Sequence, residues 1–114
     1  MKTKLEKMIE AQLRDAGFEE DSVFGGYWMK SSKCTLTVLL KTGFVSRGKS
    51  VHAEVEIWAG GVNDLRLARR ELDLTEKKCA DGSWIREVLC QMYKKGWKIL
   101  VEMAEEAAQG AMVG

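Results

Sequence analysis

Eight residues near the middle of the chain, VHAEVEIW at 51–58, place an apolar side chain at every second position, four out of four on one face, and this period of two constrains the fold more than any other stretch. Val51, Ala53, Val55 and Ile57 point one way, while His52, Glu54, Glu56 and Trp58 point the other. That is the pattern of a strand with one face packed and one face wet. Cys34, Leu36, Val38 and Leu40 repeat the alternation against Thr35, Thr37 and Leu39, so a second strand runs just before it. A sheet that is apolar on one face requires a cover.

The two ends of the chain supply that cover. Leu5, Met8, Ile9, Leu13 and Ala16 form one helical stripe, opened by the capping box of Thr3 and Glu6 and closed by Gly17. In WIREVLCQMYKKGWKILVEMAEEAAQ, which follows Ser83 as a candidate cap, Ile85, Leu89, Met92, Ile99 and Met103 recur at helical spacing. Between the helices, FEEDS and the glycines at 25 and 26 read as a connection, residues 27–31 as a short strand, and AGGVN at 59–63 as a turn. Residues 64–74 carry two readings: a strand whose alternation is restored by a bulge at Ala68 and Arg69, or a helix built from LRLARREL. Residues 97–103 also carry two: after KKG the chain continues as helix or runs as a strand. The strongly helix-forming MAEEAAQ favours one long, kinked helix. The expected fold is α+β: an N-terminal helix, an antiparallel meander of about four strands, and a long C-terminal helix on one face of the sheet, as a single domain over residues 1–114.

Composition narrows the chemistry. With 46% hydrophobic and 31% charged residues and a formal charge of +1, the chain reads as a folded globule without a bulk pull toward nucleic acid or membrane. Its apolar runs fall far short of the roughly 20 residues of a membrane-spanning helix. Three cysteines without a C-x-x-C spacing and an N-terminus without an apolar leader core point to a reducing cytoplasm. Cys34, Cys79, Cys90 and His52 are too scattered to suggest a metal site. None of the four has an activating partner at local spacing, so catalysis is not expected.

One string suggests a cofactor. GFVSRGKS at 43–50 matches G-x-x-x-x-G-K-[ST] and resembles the phosphate-binding loop of P-loop nucleotide hydrolases over those eight residues. The resemblance implies Lys49 on the terminal phosphates and Ser50 on magnesium. Such a loop must run directly into a helix whose N-terminus holds the phosphate, and here it runs into VHAEVEIW, a strand pattern. The expectation is a hairpin that binds no nucleotide cofactor.

Two classes of partner remain. Residues 30–78 hold ten basic and six acidic side chains, and the order helix, strands, helix with a basic sheet resembles double-stranded RNA-binding domains. Lys41, Arg47 and Lys49 are then the candidate nucleic-acid contacts. The lysine cluster that those domains carry at the start of the last helix is replaced here by ADGSWIRE, and Glu54 and Glu56 share the outward face with Trp58. The favoured reading is therefore a non-catalytic protein-interaction module, a small accessory or inhibitor protein, with a homodimer among its candidate states. Of the four tryptophans, Trp84 and Trp97 are expected to clamp the last helix. Trp58, Leu39 and Trp28 are the candidate partner-binding residues.

Overall fold

The computed structural model of the chain describes residues 3–21, 26–31, 36–47, 50–60 and 65–113. Its elements run α1 (Lys4–Asp15), β1 (Glu19–Glu20), β2 (Tyr27–Ser31), β3 (Leu36–Arg47), β4 (Ser50–Ala59), β5 (Leu65–Thr75) and α2 (Ser83–Val113). Each strand pairs antiparallel with the next, giving a five-stranded meander in the order β1-β2-β3-β4-β5. This is the α+β architecture that the periodicities predict, with one strand more. The extra strand is β1, two residues of the acidic connection paired with Trp28 and Met29. Such a short segment has no periodicity to reveal it.

The first helix is bounded as its sequence requires. Thr3 Oγ1 accepts from the Glu6 N–H at 3.2 Å. At the other end Gly17 adopts φ +90°, and the Phe18 and Gly17 N–H groups reach back to the carbonyls of Leu13 and Arg14. Leu5, Ile9 and Leu13 project from this helix into a single core, where they meet Trp28, Leu36, Val38, Leu40, Val51, Ala53, Val55 and Ile57 from the sheet.

Residues 65–75 are strand, and the parity failure in LRLARREL has the expected kind of cause. Ile57 pairs with Ala68 but Trp58 pairs with Arg66, so Leu67 is the bulged residue, one position before the expected site. The bulge turns Arg66 to the same face as Trp58.

The last helix is continuous through Gly96, and no strand occupies 97–103. Its N-terminal acceptor is not Ser83. The carboxylate of Asp81 takes the Ser83 N–H at 3.0 Å, and that bond holds the Asp81 carboxyl below its ordinary range. Trp84 is buried and its indole donates to Gln12 Oε1 at 2.8 Å, tying α2 to α1. Trp97 does not clamp the helix to the sheet, because it is 46% exposed. Its place against the sheet is taken by Gly96, one residue earlier.

Gly96 is where helix and sheet come closest. A Cβ built on it would lie 2.8 Å from Ile57 Cδ1, inside van der Waals contact. Alanine there gains about 1 kcal/mol of helix propensity but overpacks the core by about 1–3 kcal/mol, so Gly96→Ala is expected to destabilise by about 1 kcal/mol. Ile57→Val removes the obstructing Cδ1. In that background Gly96→Ala should become stabilising, and urea melts of the four proteins check the reversal. The same sign in both backgrounds would show that Ile57 does not set the contact.

Candidate interaction face

Both helices pack on the face of the sheet that carries Val55 and Ile57, so the opposite face has no helix over it. Register places its side chains in rows across the strands. Tyr27, Lys41, Glu54 and Glu71 share one row; Met29, Leu39, Glu56 and Arg69 share the next; Ser31, Thr37, Trp58 and Arg66 share the third. A depression of about 370 Å³ lies at the third-row end, lined by Met29, Ser31, Thr37, Leu39, Trp58 and Gly60.

Of the candidate partner-binding residues, Trp58 and Leu39 are both half-buried on this face and both line the depression. Trp28 is not part of it. It is fully buried on the helix side, packed in the core, with the Arg14 guanidinium 5.1 Å from its ring centroid. The pairing of Trp28 with Leu40 fixes its parity, and it is the adjacent Met29, 48% exposed, that reaches the outer face beside Leu39.

The centre of the face is charged and buried. Glu56 is 1% exposed although it points away from the core, because three side chains close over it. Its carboxylate lies 3.0 Å from Arg66 Nη1 and 3.3 Å from Lys41 Nζ, and accepts from the Trp58 indole at 3.3 Å. Burial by itself pushes the Glu56 carboxyl up; the bonds from Arg66, Trp58 and Lys41 outweigh it and leave the group below its ordinary range. Glu54 is also lowered, first by its hydrogen bond from Arg69, which in turn reaches Glu71 at 2.8 Å. The sequence offered a faint signal for this network. Two glutamates alternate on β4 opposite an arginine-rich strand, but the partners follow only once the bulge at Leu67 is located.

Of the candidate nucleic-acid residues, Lys41 alone has a described side chain. Lys41 is committed to Glu56 and lies 5.8 Å from the Tyr27 ring centroid. The backbone of Arg47 ends β3 opposite Ser50, which starts β4, so the phosphate-loop string straddles two antiparallel strands and is not followed by a helix. Lys49 lies outside the described residues.

Cys79 is buried and desolvation pushes its thiol up to about 11, which keeps it protonated and unreactive at neutral pH. His52 Nδ1 sits 3.2 Å from Asp73 Oδ1 on an exposed part of the outer face, with no described hydroxyl or thiol hydrogen-bonded to the ring. Among the described residues no group of three or more His, Cys, Asp or Glu side chains could hold a metal ion, and no described helix is long and apolar enough to cross a membrane. No protein-family model, no curated protein and no solved structure matches the chain.

Proposed function

We propose that the chain is a non-catalytic protein-interaction module whose docking face is the uncovered side of the sheet around Met29, Leu39 and Trp58. The observation that carries this reading is the pairing on that face of an apolar depression with a charge network satisfied from within. Lys41, Arg66 and Arg69 each already hold a carboxylate, so the face offers a partner an apolar area beside an ordered polar network. Unpaired cations, which a phosphate backbone requires, are not its main feature. An apolar patch of tryptophan, methionine and leucine set beside satisfied charges is a composition used in protein–protein contacts. The chain acts by occupying a partner's surface, in a reducing cytoplasm where Cys79 and Cys90, both unbridged, stay as thiols.

Affinity capture with the parent and with a Met29→Ser, Trp58→Ala double variant tests the reading. Proteins held by the parent should be lost by the variant while its circular dichroism spectrum is unchanged. A variant that keeps every partner removes the outer face from consideration. A salt-sensitive shift of a short oligonucleotide, abolished by Arg47→Glu with Lys49→Glu, would favour nucleic-acid binding instead.

A further inference from the structure

Glu56 is the one charged side chain buried among the described residues, and its two oxygens have different partners. Oε2 takes Arg66 Nη1 at 3.0 Å, while Oε1 lies 3.3 Å from both Lys41 Nζ and Trp58 Nε1. The partners come from three adjacent strands: Lys41 from β3, Trp58 from β4 with Glu56 itself, and Arg66 from β5. Trp58 supplies the aromatic wall of the outer-face depression, beside Met29 and Leu39.

Stability alone does not call for a carboxylate at this position, because a well-packed apolar side chain in place of a buried ion pair is often as stable or more so. What an apolar side chain lacks is an acceptor. Trp58 is half-buried, and on a face with no helix over it the ring has room to leave its rotamer unless its polar edge is held. Among the described residues the acceptor for that edge is Glu56. The carboxylate is fixed in turn from the far side: Arg66 reaches Oε2 because the bulge at Leu67 turns it to the face of Trp58. The alignment of β5 thus sets the carboxylate, and the carboxylate sets the ring.

We infer that Glu56 is the positioning residue of the outer face, holding the Trp58 indole in the pose that walls the depression before any partner arrives. A surface ordered in advance loses less side-chain freedom on binding. The same bonds set the chemistry of the partner. Lys41 and Arg66 hold Glu56, and Arg69 holds Glu54, so a carboxylate from a partner would have to displace one already in place. The group that fits is an uncharged apolar side chain. The partner's chemistry rests on the docking reading of this face, whereas the pose of the ring is a property of the free chain.

Nuclear magnetic resonance of the four indole N–H groups in the nitrogen-15-labelled full chain tests the inference, the Trp58 signal being the one missing from Trp58→Phe. Glu56→Met keeps an unbranched side chain of similar length and removes the acceptor. It should shift the Trp58 signal and speed its hydrogen exchange about tenfold or more, as loss of a hydrogen bond to a charged group implies, while the Trp84 signal, held by Gln12, stays in place. Arg66→Met changes a half-exposed side chain and leaves the buried position intact; it should produce the same shift in smaller measure, and in the Glu56→Met background it should add nothing. A Trp58 signal unmoved by Glu56→Met would overturn the inference. So would additive effects of the two substitutions, since Arg66 would then act on the ring directly. A partner bound by the parent should bind Glu56→Met about tenfold more weakly; equal affinity with the ring released would also overturn the positioning role. If the Met29→Ser, Trp58→Ala variant keeps that partner, the docking reading fails by itself, and the indole signals of the free chain still decide what holds Trp58.

Discussion

Replacing Trp28 with alanine is expected to remove about 3–5 kcal/mol of stability, the cost of emptying a large aromatic site in a packed core. For a domain of this size that is a fall in Tm of well over ten degrees, visible in a thermal melt. The indole sits at the junction of β1, β2 and β3, between Leu40 on the inner face and the Arg14 guanidinium. Its Nε1 has no hydrogen-bond acceptor among the described residues. Trp28→Phe deletes that desolvated donor along with some packing, so its loss should be much smaller, about 1 kcal/mol. Trp58→Ala, which trims a half-buried side chain on the outer face, should cost about 1 kcal/mol as well. If Trp28→Ala and Trp58→Ala proved equally mild, Trp28 would not be a core residue.

The other large effect centres on Glu56. Glu56→Gln leaves Arg66 and Lys41 facing each other across a buried amide. Breaking a fully buried ion pair costs about 3–5 kcal/mol, but the Arg66 side chain is 51% exposed and screened by solvent, so about 2 kcal/mol is expected. The loss should depend on pH in a defined direction. The folded-state pKa of Glu56 lies below its ordinary 4.5, so the folded protein binds a proton there less readily than the unfolded chain does. Its contribution is complete above about pH 4.5 and is lost as the pH falls through the folded-state value. Urea melts of parent and variant between pH 7 and pH 3 should therefore converge at the acid end. A gap that stays constant over that range would mean that the charge of Glu56 does not carry its stabilisation.

Much of the fold was legible because burial on one side leaves a period in the sequence. Val51, Ala53, Val55 and Ile57 on β4 and Leu5, Ile9 and Leu13 on α1 are all buried, on the faces their spacing assigned. Where the chain departs from regular spacing, local pattern fails. Met29 and Trp28 both look apolar, and only the pairing of β2 with β3 decides which enters the core. Gly96 left two readings open, because a residue in close approach to Ile57 looks the same in sequence as one that stops a helix; the helix-forming MAEEAAQ favoured the continuous helix that is observed. The candidate site was read in part for the same reason. Trp58 and Leu39 were assigned by parity, whereas the ring of Arg66 and Lys41 around Glu56 depends on contacts across three strands.

The bulge at Leu67 bears on how the chain avoids mispairing during folding. β5 is an outermost strand, and residues 68–74 present their apolar side at one parity while Arg66, beyond the bulge, has crossed to the other. A uniform strand could slide by two residues along its neighbour and still bury the same face. A strand whose phase changes part-way has only one alignment that satisfies both segments, so slippage would strand Arg66 away from Glu56. The free edge of the sheet, rich in arginine at 66, 69 and 70 and bent by an irregular residue, also makes a poor template for another chain's strand. One extra residue thus locks the alignment of the outermost strand and guards it against aggregation.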